Sequence, residues 1–333
     1  MSKILGIHAP TDGRNLLLNP EFWLFQRTDP STPTARTNTQ YGPDRWKMLM
    51  ENTGVNISRS TSAPARARYA LLMAKSTSTG RMGMIQILEA SDSIALRGKT
   101  VTFQIAAQSP SSNVSQLRVA LLSWSGTADS VTADPISSWA AAPTYAANFT
   151  QLAATEGTLT NAYSQLIVSA TVPGSCNNLI AFVWTPNQEV SGDSVLIGTA
   201  TMSLGATASL FARRIDESEL ALCQRYFEKS YDLSMVAGTS SFTGALNGAA
   251  ISNGGGGAIS GSLFAVHKRI APTVTIYNPS SGAANSVYET STAAAKTVSS
   301  RNVGESQFNI AAGGSVLTDN ENYDFQFTAE AEL

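Results

Sequence analysis

Apolar residues fall at every second position over several short stretches of this chain. Val101, Phe103 and Ile105 alternate with Thr100, Thr102 and Gln104, and Leu117, Val119 and Leu121 repeat the theme. A period of two sends one set of side chains to a core and the other to solvent, so both stretches read as half-buried strands. Residues 69–75 and 82–89 read as less regular strands. Residues 179–184 are apolar on both faces, which predicts a central strand between two covering layers. In 194–204, Val195 and Ile197 share a face amid Gly and Thr. Ser109-Pro110-Ser111, Val172-Pro173-Gly174 and the stretch 188–192 punctuate these runs with turn residues. Many short strands separated in this way predict a sandwich or jelly roll.

The period changes at Asp216. Leu220, Cys223 and Phe227 fall on one helical face with Leu222 and Tyr226 beside it, and Asp216 and Glu219 have capping-box-like spacing. The pattern predicts one helix over 217–229. Strand signals return beyond it: 259–266 after the loop Asn253-Gly254-Gly255-Gly256-Gly257, 273–277 entered through Pro272, and a last strand in which Tyr323, Phe325 and Phe327 alternate with polar residues. The glycine run lacks the following helix of a phosphate loop and reads as a hairpin loop. The predicted fold class is all-β, with two jelly-roll-like β-sandwich domains joined by one short α-helix. The predicted division is an arm over 1–14, a jelly-roll domain over 15–211, a linker helix over 212–230 and a β-sandwich over 231–333.

Residues 125–160 lack a clear period and read as a long loop. Trp124 stands at its edge, and Trp139, Tyr145 and Phe149 lie within it among Ala, Ser, Thr and two prolines. Long loops in compact domains are functional or disordered more often than not. Trp124, Trp139 and Tyr145 are the candidates for stacking on pyranose rings; the competing reading is that they cap one end of the sandwich.

Charged residues make up 14% of the 333, against about 25% in an average domain. Hydroxyl and amide side chains fill the gap, as suits a secreted, virion or glycan-facing β protein, the alternative being a generic all-β surface. The net charge of −2 hides an asymmetry: residues 1–100 carry +6 and residues 101–333 carry −8. The arginines Arg59, Arg66, Arg68 and Arg81 suit either an acidic neighbour or a solvated face. No dense basic stripe points to nucleic acid, and no apolar run approaches the ~18 residues of a membrane span. The apolar residues Ile4, Leu5 and Ile7 of the leader are candidates for attachment to a neighbouring protein, the alternative being a disordered terminus. The leader does not read as a secretory signal, so the expected site of synthesis is a cytoplasm.

The run Asn15-Leu16-Leu17-Leu18-Asn19-Pro20-Glu21-Phe22-Trp23, with Gln26-Arg27 and Tyr41-Gly42-Pro43-Asp44-Arg45-Trp46, resembles the first strand and turn of jelly-roll carbohydrate-binding modules found in phage tail fibre and other virion appendage proteins. The stretches Leu222-Cys223-Gln224-Arg225-Tyr226-Phe227-Glu228-Lys229, Lys268-Arg269-Ile270-Ala271-Pro272-Thr273-Val274 and Phe327-Thr328-Ala329-Glu330-Ala331-Glu332-Leu333 are similar to the C-terminal region of phage tail fibre proteins. The resemblance implies a virion location, other virion proteins and a host surface glycan as partners, and a homotrimer. Heptads and Gly-X-Y repeats are missing, which fits a short fibre, spike, collar or baseplate component rather than a long shaft. Family members often hold a structural calcium ion with oxygen ligands. Asn19 and Asp44 lie in the motif, yet no acidic cluster demands a metal, and no cofactor is expected.

Catalytic equipment is sparse. The two histidines, His8 and His267, make no triad with a serine. Cys176 and Cys223 are far apart and show no metal spacing. Asp129/Asp134 and Glu189/Asp193 are the nearest approach to the paired carboxylates of a glycosidase. The expectation is no enzyme and no catalytic residue. Three functional readings follow: a glycan-binding virion appendage, a purely structural virion bridging or decoration protein, and a glycan depolymerase.

Overall fold

In the computed structural model, which describes residues 14–251, 257–314 and 316–333, the chain is almost entirely β and divides into two units. The leader candidates Ile4, Leu5, Ile7 and His8, and residues 253–256 of the glycine loop, lie outside the described residues. The first unit takes in the described residues up to Trp23, Pro30–Arg213 and Leu333; the second takes in Leu24–Asp29 and Arg214–Glu332.

The strands of the first unit are β1 (Thr34–Arg36), β2 (Lys47–Met50), β3 (Val55–Ser60), β4 (Ala70–Lys75), β5 (Met82–Ile87), β6 (Thr100–Gln108), β7 (Gln116–Trp124), β8 (Ile136–Ser138), β9 (Thr144–Tyr145), β10 (Phe149–Thr158), β11 (Ser164–Thr171), β12 (Asn178–Trp184) and β13 (Ser194–Leu204), with a short helix α1 (Ala90–Ile94) after β5. One antiparallel sheet runs β1-β3-β4-β13-β6-β11 and the other β10-β7-β12-β5-β2. They form a jelly-roll-like sandwich. Val101, Phe103 and Ile105 of β6 are fully buried, as their alternation predicts. Every residue of β12 is buried. Ile180, Phe182 and Trp184 join a cluster on one face of the five-stranded sheet, so Leu179, Ala181 and Val183 point the other way, into the sandwich. Gly198 sits at a register shift between Ile197 and Thr199 of β13. A Cβ there would stand 2.3 Å from the Pro64 ring, which explains a glycine in that strand.

The motif residues are structural. Asn15 accepts from Met202 N at 2.9 Å and donates to Ala200 O at 2.9 Å. Ala200 N donates to Pro20 O at 2.8 Å. The segment thus satisfies the stretch of β13 that β4 no longer covers. Asn19 and Phe22 adopt φ of 49° and 53° around Pro20, a turn conformation that Asn tolerates and Phe does not favour. Burial compensates: Phe22 and Trp46 are fully buried, with ring centroids 5.2 Å apart. The Trp46 indole donates to Leu18 O and Asn19 O, each at 3.2 Å. Trp23 is half-buried and carries the Arg68 guanidinium 5.4 Å from its ring. Asn19 turns its amide N–H to Asp44 O at 3.2 Å.

The second unit opens with helix α2 (Asp216–Gln224), followed by β14 (Phe227–Lys229), β15 (Leu246–Ile251), β16 (Ala258–Leu263), β17 (Thr273–Tyr277), β18 (Ser286–Glu289), β19 (Ala294–Arg301), β20 (Gln307–Ala312) and β21 (Asn322–Glu330). The helical period read over 217–229 is realised only as far as Gln224. Phe227, Glu228 and Lys229 pair instead with Glu330, Ala329 and Thr328 of β21, a tertiary partner that local periodicity does not reveal. The capping box does not form. Ile215 is the N-cap, without a side-chain bond, and Glu219 pairs with Arg214 at 2.7 Å.

Six strands close into a ring, β21-β15-β16-β20-β19-β18 and back to β21, while β14 and β17 pair with the far half of β21. Ile276, Val298, Phe308, Ile310, Phe325 and Phe327 fill the interior. Lys268, fully buried, bonds to Glu228 and to Gln224 O, and Arg269 donates to Ala331 O at 3.0 Å and Glu332 O at 2.8 Å. The basic motif before Pro272 is therefore internal framework. Residues 24–29 belong to this unit. Gln26 donates to Phe227 O at 2.8 Å, and Arg27 lies 3.9 Å above the Phe227 ring while pairing with Glu332 at 3.0 Å.

Candidate functional site

The outer face of the five-stranded sheet gathers six aromatic residues of the first unit, Trp124, Trp139, Tyr145, Phe149, Phe182 and Trp184. Across it lie Leu49, Ile85, Ile87, Ala120, Leu122, Ile180, Phe182 and Trp184. The stretch read as a long loop covers this face in part. Within it, β8 and β9 pair as a hairpin, and Phe149–Thr158 is a ten-residue edge strand rather than loop. Its polar sequence hid it, because an edge strand pairs on one side only, here with β7. Val131, Ile136, Trp139, Tyr145 and Ala146 pack down from the hairpin segment.

The three aromatic candidates differ. Trp124 is 4% exposed, packs on Phe149 with centroids 4.8 Å apart, and donates its indole N–H to Thr127 O at 2.9 Å. Its surface is consumed by packing. Trp139 is half-buried and tilts against Phe182 at 6.4 Å. Phe182 in turn stacks on Trp184, 4.4 Å away and 8° from parallel. Tyr145 is half-buried, and its hydroxyl donates to Gln151 Oε1 at 2.8 Å. Burial pushes the phenol up to about 12, against a smaller downward pull from Arg118, so it stays a neutral donor at physiological pH.

One end of this face is polar. Register places Arg118 of β7 between Glu156 of β10 and Trp184 of β12. Arg118 pairs with Glu156 at 2.8 Å and donates to Ala141 O at 2.7 Å, and its guanidinium lies 5.8 Å from the Trp184 ring. The Trp184 indole donates to the same Ala141 O at 3.1 Å. Gln116 donates to the other Glu156 oxygen at 2.7 Å. The hairpin tip is thus held by a cation and an indole while Trp139 and Tyr145 remain partly open beside carboxylate, amide and hydroxyl groups. Sugar C–H faces suit such rings, and sugar hydroxyls suit such polar partners. Sequence reading found Trp139 and Tyr145 by composition. It does not single out Arg118, a polar position on the strand read from Leu117, Val119 and Leu121, nor Gln151 and Glu156, which lie in the stretch that reads as loop.

Of the two carboxylate pairs noted in the sequence, Asp129 and Asp134 are engaged with other groups, whereas Glu189 and Asp193 act on each other. Asp129 accepts from Ala90 N and Asn178 Nδ2 at 2.8 and 2.7 Å. Asp134 accepts from Ile136 N at 2.9 Å and from Asn38. Glu189 and Asp193 are 3% and 8% exposed. Among the described residues, no three His, Cys, Asp or Glu side chains gather as a metal site. Both cysteines are buried.

No family model and no curated protein matches the sequence. Among solved structures, the chain is similar to TmCBM61 in complex with β-1,4-galactotriose, at 14% identity over 58% of this chain and 99% of that one, with a TM-score of 0.34. It is similar to the CBM22-1 xylan-binding domain of Paenibacillus barcinonensis Xyn10C, at 12% identity over 60% and 99%, with a TM-score of 0.35. It is also similar to the enzymatically active domain of bacteriophage CBA120 tailspike protein 4, at 8% identity over 55% of this chain and 22% of that one, with a TM-score of 0.32.

Proposed function

We propose that this chain is a non-catalytic, glycan-binding component of a virion appendage that works as a homotrimer. The observation that carries the glycan reading is the placement of Trp139 and Tyr145: both are held by packing, both keep part of their ring open, and Gln151, Arg118 and Glu156 stand beside them. The virion setting and the trimer rest on the sequence resemblance, with Ile4, Leu5 and Ile7 as the attachment arm. A shallow aromatic site binds weakly, and three copies on one particle supply the avidity. The test is the double variant Trp139→Ala/Tyr145→Ala in the full chain, read by binding to host cells and by far-ultraviolet dichroism. Loss of cell binding with an unchanged spectrum supports the proposal. Full binding by the folded variant refutes the site and leaves the structural bridging role, and cleavage of host polysaccharide by the wild-type chain overturns the non-catalytic reading.

A further inference from the structure

The second unit holds an aromatic corner of its own. Phe242 is 50% exposed. Its position is not slack. Gln326, fully buried, donates to Ser241 O at 2.7 Å and to Thr243 O at 3.1 Å, so the carbonyls on both sides of Phe242 are pinned. Ser240 adds a bond to Ser280 O at 2.6 Å. The Phe242 ring stands edge-on to Tyr288, with centroids 5.3 Å apart and planes 81° apart. Two rings at a right angle give a wall and a floor.

The register of the sheet supplies the polar side. Asn247 of β15 lies opposite Asp324 of β21, Asp324 opposite Tyr288 of β18, and Tyr288 opposite Ala295 of β19. Directly opposed residues of antiparallel strands share a face. The row therefore runs amide, carboxylate, phenol, methyl. Asn247 Nδ2 donates to Asp324 Oδ1 at 2.6 Å, which fixes the carboxylate. Asn247 is exposed and Asp324 half-buried, on the same face as Tyr288. Ala295 adds no bulk on the far side of Tyr288.

We infer that this corner is a second carbohydrate-binding site, specific for a neutral pyranose, with Phe242 and Tyr288 against the C–H faces of the sugar and Asp324 and Asn247 accepting from neighbouring hydroxyls. A carboxylate that cannot be paired by an anionic sugar favours a neutral one. Pinned rings lose little freedom on binding, so even a small contact area is usable. The site is independent of Trp139 and Tyr145.

The test uses the full chain with Trp139→Ala/Tyr145→Ala already in place, so that the failure of either site is read separately. Neutral gluco-, galacto- and xylo-oligosaccharides of four to six residues are screened by saturation-transfer NMR. The expected result is transfer to the sugar C–H protons of at least one class, abolished by Phe242→Ala and weakened at least tenfold in affinity by Asp324→Ala. Both substitutions are at the surface, and an unchanged melting temperature confirms folding. No transfer to any class, or transfer indifferent to Phe242→Ala, overturns the inference. A fall in solution mass on Phe242→Ala also overturns it, since the ring would then serve contact with a second copy of the chain.

Discussion

Replacing Glu189 by Gln should make the first unit more stable at neutral pH and leave it unchanged in mild acid. Glu189 lies between β12 and β13, where its backbone bridges to Gly80 with bonds of 3.0 and 3.2 Å. Its side chain is 3% exposed and Oε1 finds no hydrogen-bond partner. The charged groups that act on it are Asp193 and Arg81. Arg81 is already engaged with Glu51 at 2.9 Å, and Lys75 donates to Asn52 O and Thr53 O. Burial first, and Asp193 second, push Glu189 up from 4.5 to about 7, with Arg81 pulling weakly the other way. The folded chain therefore keeps a proton that the unfolded chain has released between pH 4.5 and about 7. Stability from this group is fully present below pH 4.5 and is lost as pH rises through that window. At about 1.4 kcal/mol per pH unit the loss approaches ~3 kcal/mol. Gln keeps the shape and cannot ionise. Urea unfolding at pH 4.5, 5.5, 6.5 and 8, followed by tryptophan fluorescence, reads this directly, because all five tryptophans lie in the first unit. The variant should match wild type at pH 4.5 and exceed it by roughly 3 kcal/mol at pH 8. Parallel curves at all four pH values would refute the reasoning.

Trp46→Ala should destabilise the first unit by about 3–5 kcal/mol, since it empties a fully buried site and removes the indole's bonds to Leu18 O and Asn19 O; an unchanged urea midpoint would contradict this. Lys268→Ala should lower the stability of the second unit by about 3–5 kcal/mol by leaving Glu228 buried without its cation. The paired change Lys268→Met/Glu228→Gln should recover most of that loss, measured as the calorimetric transition of the second unit.

The apolar face of a strand was legible from sequence, whereas the burial of alternate positions such as Thr102 of β6 and Gln326 of β21 was not. β6 and β21 show their alternation openly, and the apolar run 179–184 of β12 announced a covering layer on each side. What covers its outer face was not legible. The hairpin that does so contributes Ile136, Trp139 and Tyr145 from a stretch with no period, and β10 borders the sheet with a polar sequence that edge position permits. The end of α2 was misread for a related reason: Phe227 continues the helical stripe, and only β21, a hundred residues on, makes it a strand. Among the site residues, aromatic type was visible, whereas exposure was not. Trp124 and Trp139 look alike in sequence, and only packing separates the buried ring from the open one. Asp324 and Tyr288 are 36 positions apart in sequence, so their adjacency is a property of sheet register alone.

The assignment of Leu24–Asp29 to the second unit has a consequence for how such a protein can change over time. A chain built as two consecutive blocks can exchange one block by a single crossover in its gene. Here the second block includes six residues embedded in the reading frame of the first, and through Gln26 and Arg27 they satisfy Phe227, Glu330 and Glu332. A recombinant joined near position 213 would pair one lineage's residues 24–29 with another lineage's ring. The new strand would have to present the same phenyl group and the same acids, or lose those bonds. New binding preferences in the second unit should therefore arise by point substitution on the Phe242 surface more readily than by wholesale replacement of the unit.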